Sequence, residues 1–183
     1  MRIDNPCNIL FSYHDNQDEI LSLSDGKFGE DDFREKAFEV HKETTAIVLK
    51  FTNNVIFERP TVRKYYKEFE VLLMPFLEKL KAYYNFKNMV FDRLMLANIP
   101  PKSKVYPHFD GERFHSKTHR VHWVLKTNDK VTFSIGEDKF NFSDGDVFEL
   151  DNCGRIHGVD NDGDSSRIHL IIDVREFDPR RNW

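Results

Sequence analysis

From residue 88 onward, apolar and polar residues alternate in short runs that are closed by turn residues. MVFDRLMLANI (89–99) is followed by the turn PPKS, and KVYPHF (104–109) by a charged loop. HRVHWVLK (119–126), KVTFSI (130–135), KFNF (139–142), VFEL (147–150), RIHGV (155–159) and RIHLIIDV (167–174) complete the series, with GEDK, SDGD and DNDGDSS as punctuation. Many short strands at this spacing predict an antiparallel sandwich or barrel. The first half has a different texture. NILFSY (8–13) and TAIVLKF (45–51) read as strands, and Glu30 to Val40 places Phe33, Ala37, Phe38 and Val40 at helical spacing. From Thr61 to Tyr84, Tyr65, Phe69, Leu72, Leu73, Phe76, Leu77, Leu80 and Tyr84 recur at three and four. That predicts an amphipathic helix, kinked or restarted at Pro75. The expected architecture is α+β, mainly β: one domain over 1–183, with strands and supporting helices in 1–86 packed outside a core β-sandwich in 88–174.

Composition sharpens this picture. The 183 residues can bury a substantial core, and 17 Phe suggest one built on rings. A formal charge of −4 gives no reason to expect a nucleic-acid partner, which needs a concentrated basic face. Arg59, Arg63, Lys64 and Lys67 are interleaved with Glu58, Glu68 and Glu70, as on a solvated helix face. Cys7 and Cys153 cannot make a disulfide framework. The N-terminal residues carry charges and a Pro where a signal peptide needs an apolar run. No window approaches the ~18 consecutive apolar residues of a membrane span. The expectation is a soluble cytoplasmic protein with no membrane or nucleic-acid partner and an open oligomeric state.

The chemistry concentrates on three residues. His108-Phe109-Asp110 alone is weak evidence, because eight histidines among 31 acidic residues produce such triplets by chance. His41-Lys42-Glu43 is a second triplet, expected at the surface between a charged helix and a strand. Residues i and i+2 of an extended segment project to the same side, so His108 and Asp110 can reach one ion. They follow a strand and precede Gly111, where the chain can turn. His157, in a later strand, can supply a third ligand. Two imidazoles and one carboxylate with open positions are the arrangement of non-haem iron(II) oxygenases, which bind co-substrate and O2 there.

Arg167, ten residues after His157, begins the last strand. 2-Oxoglutarate chelates iron through its keto acid and leaves a distal carboxylate, which a guanidinium fork can pair bidentately. On RIHLIIDV the alternation puts Arg167, His169, Ile171 and Asp173 on one face, and Ile168, Leu170, Ile172 and Val174 on the other. On HRVHWVLK, Arg120 and His122 share a face opposite Val121, Trp123 and Leu125. Alternation alone leaves open which faces point inward, but two Arg-x-His pairs suggest a shared polar cavity. Arg120 has a second option, pairing with a core carboxylate such as Asp173. His169 is divided between cavity lining and a satisfied interior histidine. His115 and His119 fall in the loop GERFHSKTH. Asp160, Asp162 and Asp164 lack the Glu that a calcium loop needs and read as a solvated turn. Trp123, Tyr65 and Tyr66 are expected in the core.

From Lys42 to Val174 the chain resembles the aspartyl/asparaginyl β-hydroxylase family of 2-oxoglutarate oxygenases. HKETTAIVLKF looks like that family's first core strand, and VYPHFD, HRVHWVL, GDVFELDN, RIHGV and SRIHLIIDV follow its order and spacing. The resemblance implies a double-stranded β-helix, the jelly roll of cupins. It also implies Fe(II) at His108 and His157, and 2-oxoglutarate held by Arg167 with help from Arg120 and His122. The vertebrate enzymes lack the carboxylate ligand, whereas Asp110 makes this chain look more like bacterial members that hydroxylate free proline. Ala97 stands where the vertebrate enzymes place a Ser. The implied activity is hydroxylation of an amino-acid side chain: peptidyl Asp, Asn or Pro, or a free amino acid. Nine residues follow Val174, which favours a substrate that brings its own bulk, such as a polypeptide. The competing functions are a cupin-type isomerase or hydrolase that does not use 2-oxoglutarate, and a non-catalytic binding module. The first more often uses extra His or Glu ligands without this arginine, and the second usually loses a ligand.

Overall fold

The computed structural model describes residues 5–30, 32, 34, 36, 38–52, 60–110, 118–151 and 153–177. Its strands are β1 (Cys7–Ser12), β2 (Thr45–Phe51), β3 (Thr61–Val62), β4 (Met89–Ile99), β5 (Ser103–His108), β6 (His119–Lys126), β7 (Val131–Ile135), β8 (Asp138–Phe140), β9 (Asp146–Leu150), β10 (His157–Asn161) and β11 (Arg167–Glu176). Two helices are described, α1 (Gln17–Ser24) and α2 (Tyr66–Tyr84), with a single 3-10 turn at Glu39–His41. A seven-stranded sheet in the order β1-β9-β6-β11-β4-β2-β3 faces a four-stranded sheet in the order β5-β10-β7-β8. Every strand pairing is antiparallel. The fold is the expected jelly roll, mainly β, with helices outside.

The alternation left open by the sequence is resolved by two apolar clusters. Ile168, Leu170, Ile172 and Val174 of β11 pack with Val121, Trp123 and Leu125 of β6 and with Phe69, Leu73, Phe76, Leu77 and Leu80 of α2. The helical stripe and the outer sheet face therefore cover each other, and each fully buried large side chain contributes about 1.5–3 kcal/mol. Phe76 stacks on Trp123 at 4.4 Å, and the Trp123 indole donates to the Tyr13 carbonyl at 2.9 Å, so this polar tip is satisfied inside the core. The opposite faces of β6 and β11 turn inward. There Val124 joins Val131, Phe133, Ile135, Phe148, Leu150 and Val159 between the two sheets.

Helix α2 begins at Tyr66 rather than Thr61, because Thr61 and Val62 pair with Phe51 and Lys50 as an edge strand. It runs through Pro75 without a restart. Pro75 lies on the exposed face, so the helical hydrogen bond its ring removes is lost on the solvent side of the helix. The helix expected over Glu30–Val40 falls partly outside the described residues, including Phe33 and Ala37. His115 also lies outside them. His119 opens β6, as the strand HRVHWVLK has it, and does not belong to the preceding loop; its Nδ1–H donates to Glu149 at 2.6 Å on the side of the sheet that carries Tyr84 and Phe86. No described helix is long and apolar enough to cross a membrane.

Candidate metal centre

Antiparallel pairing of β10 with β5 sets His157 directly opposite His108. Their rings come to 4.4 Å between centroids. A register shift follows between His157 and Val159, and Gly158 occupies it. A Cβ there would stand 3.1 Å from the Val105 carbonyl oxygen and 3.3 Å from the Pro107 nitrogen, so the close approach of the two strands favours glycine. Asp110 follows the end of β5 and turns back toward both rings. Its Oδ1 lies 3.7 Å from His108 Nε2, and its Oδ2 lies 3.7 Å from His157 Nε2.

Among the described residues, His108, Asp110 and His157 form a group whose ligand atoms all lie within 4.8 Å of one another. The tautomers suit a cation. His108 Nδ1–H donates to the Tyr106 carbonyl at 2.8 Å and His157 Nδ1–H to the Arg155 carbonyl at 3.4 Å, which leaves both Nε2 lone pairs free. Burial, opposed by the Asp110 carboxylate, pushes His157 down to about 4, so it is neutral and able to ligate at physiological pH. The donor set fits a non-haem iron(II) facial triad with open positions.

His108 and His157 open into a cavity of about 50 Å³. Apolar side chains of Ile99, Val105, Phe133, Leu150, Val159 and Ile171 line it, with Arg34, His41, Arg120, His122 and Arg167. Arg167 is 2% exposed, and no carboxylate among the described residues pairs with it. Its Nη2 donates to His169 Nδ1 at 2.6 Å, its guanidinium lies 5.6 Å from the Phe133 ring centroid, and its Nε has no partner. Burial, reinforced by the Arg34 charge, pushes it down to about 9. A buried guanidinium with this deficit fits the distal carboxylate of 2-oxoglutarate. His122 is 4% exposed, stacks on Phe148 and keeps a buried Nε2 without a partner. His169 is interior, held between Arg167 and His122.

Arg120 reaches the site and takes the second option open to it, engaged by the protein's own carboxylates. Its Nε and Nη2 fork onto Asp173 at 2.8 Å each, and its Nη1 donates to Asp110. His41 is a correction: it lies in the cavity wall rather than at the surface. The 3-10 turn packs it edge-on against the His108 ring at 5.4 Å, and Arg34 donates to its Nε2 at 3.1 Å. Arg34 Nη1 also donates to Thr44 at 3.4 Å. No local pattern marks Arg34, and the triplet that marks His41 does not tell that tertiary packing brings it to the cavity. Asp160 lies in β10, and Asp162 and Asp164 are exposed in the turn that follows it, Asp164 paired to Lys102.

Comparisons with known proteins point to a family and a fold. The family model described as aspartyl/asparaginyl β-hydroxylase matches residues 63–176. No curated protein matches the sequence. Among solved structures, a 2OG-Fe(II) oxygenase family oxidoreductase from Burkholderia pseudomallei has a TM-score of 0.66 at 14% identity, covering 93% of this chain and 84% of its own. A prolyl hydroxylase from Trichoplax adhaerens, in complex with a hypoxia inducible factor oxygen degradation domain peptide fragment, scores 0.63 at 11% identity, covering 94% and 84%. A viral collagen prolyl hydroxylase from Paramecium Bursaria Chlorella virus-1, as a 2OG complex, scores 0.55 at 11% identity, covering 96% and 98%. At these identities the likeness is one of fold.

Proposed function

Since the chain belongs to the aspartyl/asparaginyl β-hydroxylase family, we propose that it is an Fe(II)- and 2-oxoglutarate-dependent oxygenase that hydroxylates an amino-acid side chain. The observation that carries this reading is the His108–Asp110–His157 cluster beside a cavity that His108 and His157 share with Arg167, a guanidinium that no described carboxylate pairs. The bound iron and co-substrate would supply oxidative activation of O2 and transfer of one oxygen atom to a C–H bond. The chain's own residues supply placement. His108, Asp110 and His157 would hold the ion on one side and leave the other side open. Arg167 would fix the far end of the co-substrate, with His122 as a neighbouring polar contact. The apolar wall of Val105, Phe133, Val159 and Ile171 keeps water away from the reacting centre.

A polypeptide substrate is the finer reading. Phe109 and Ile156, each adjacent in sequence to a ligand, are 54% and 47% exposed and offer apolar contact beyond the cavity. The Trichoplax enzyme's peptide complex supports the same substrate class by analogy of fold. The test is thermal stability of the apo protein under anaerobic conditions with Mn(II) and 2-oxoglutarate, singly and together. Binding to the folded state at a hundred times Kd adds ~2.7 kcal/mol. A joint rise exceeding either alone is expected, as is 2-oxoglutarate-dependent succinate release with Fe(II) in air. Wild-type succinate release in Asp110→Ala and His157→Ala would refute the assignment. A rise with metal alone would instead favour a cupin that does not use 2-oxoglutarate.

A further inference from the structure

We propose that Asp173, acting through Arg120, is a positioning residue for the carboxylate ligand Asp110, an inference that rests on the metal-site reading above. Asp110 is the ligand the sheet controls least. β5 ends at His108, so no ladder pairing fixes the chain at residue 110. Its main-chain oxygen accepts from Cys153 Sγ at 3.4 Å, and its side chain depends on what grips the carboxylate. Arg120 Nη1 grips Oδ2.

Arg120 is itself aimed from behind. Asp173 on β11 is its register partner on β6, and the two meet fork to fork, Nε on Oδ1 and Nη2 on Oδ2, both at 2.8 Å. A bidentate pair of this kind fixes the plane of the guanidinium as well as its distance. With two nitrogens committed to Asp173, the third is delivered to Asp110. On its other side Asp173 is the register partner of Arg93 on β4, whose Nε lies 3.8 Å from Oδ2. Asp173 is fully buried. The row Asp110, Arg120, Asp173, Arg93 alternates in sign and sums to zero, which makes its burial tolerable.

Two consequences follow for the metal. With Oδ2 on Arg120, Asp110 offers Oδ1 alone to an ion. With Asp173 drawing on the guanidinium, Arg120 does not compete for the ligand carboxylate at full strength. Asp173→Asn keeps the shape and removes that counter-charge, so Arg120 turns its attraction onto Asp110. Arg120→Lys keeps the charge and loses the fork.

The experiment is calorimetric titration of the full-length apo protein with Mn(II) alone, followed by 2-oxoglutarate at saturating Mn(II), both anaerobic. Absorption of the Co(II) form reports ligand geometry. The expected result is Mn(II) affinity roughly 10–100-fold weaker in both variants, as for other groups that orient metal ligands. The Co(II) ligand-field bands should shift in both, while in Asp173→Asn 2-oxoglutarate affinity at saturating metal stays within about threefold. Mn(II) affinity within about threefold of wild type in both variants overturns the proposal. So does a loss of 2-oxoglutarate affinity with metal affinity retained, which would place Arg120 on the co-substrate. If Asp173→Asn does not fold, Arg120→Lys decides alone. Wild-type protein that binds no Mn(II) refutes the metal-site reading itself and this proposal with it, whereas normal wild-type binding with unchanged variants refutes only the positioning role.

Discussion

Arg167→Met should stabilise the apo protein while abolishing its response to 2-oxoglutarate. The guanidinium is 2% exposed and faces no carboxylate among the described residues. Burial, with the Arg34 charge behind it, takes Arg167 from the ordinary 12.5 to about 9. At ~1.36 kcal/mol per decade, that fall corresponds to roughly 5 kcal/mol of penalty on the charged form. The guanidinium keeps its proton, so the penalty is in full force at neutral pH. Part of it is already offset by the hydrogen bond to His169 and the ring of Phe133, which together contribute about 2 kcal/mol. Met matches the length of the aliphatic stem and needs no partner. The variant should therefore gain up to about 3 kcal/mol, read as a higher urea midpoint with an unchanged slope. For a domain of this size that is a rise in Tm of roughly 6–12 °C. In the same variant the stabilisation by 2-oxoglutarate with Mn(II) should vanish. Destabilisation of the apo variant by more than about 2 kcal/mol would refute the reasoning, because it would mean the fold already compensates this charge.

Two further predictions concern the frame around the site. Gly158→Ala puts a Cβ 3.1 Å from the Val105 carbonyl oxygen, so β10 must shift away from β5; a loss of roughly 1–3 kcal/mol in urea unfolding is expected, with weaker Mn(II) stabilisation, and unchanged values for both would show that the strands part without strain. Burial, aided by the Arg167 charge, holds His122 and His169 well below the ordinary 6.5, so the unfolded chain takes their protons first and stability is lost as the pH falls below about 6.5. Between pH 7 and 5 the pair should cost up to roughly 4 kcal/mol, partly masked near the acid end by Asp92, which burial shifts the opposite way. A urea midpoint that stays flat from pH 7 to 5, or the same slope in a His122→Gln, His169→Gln variant, would exclude this mechanism.

The strands of the second half were readable because a two-residue period on a half-buried sheet leaves a mark at every position. β4 and β6 occupy the expected ranges, and β2 coincides with TAIVLKF. KFNF was only partly a strand. The ladder ends at Phe140, and Phe142 instead stacks on Phe148 at 3.8 Å, a contact that depends on a residue outside its own run. The triad was legible for a similar reason. His-x-Asp on an extended segment is a local geometric statement, and only the third ligand needed the fold to bring it across.

What stayed hidden depended on choice among partners. Alternation placed Arg120 and Asp173 on the correct face of their strands, and both the metal carboxylate and a co-substrate lie within the reach of such a face. Which one an arginine serves is decided by register. β6 and β11 pair with Arg120 opposite Asp173, and a slip of one residue would set Ile172 in its place and leave the guanidinium without its inner counter-charge. The same register leaves Arg167, at the other end of β11, without a register partner on β6. One strand thus carries a compensated arginine row beneath the candidate metal ligands and ends in an uncompensated arginine where a dianion can dock. This contrast between two buried cations in one cavity separates the residues that build the site from the residue that waits for its ligand.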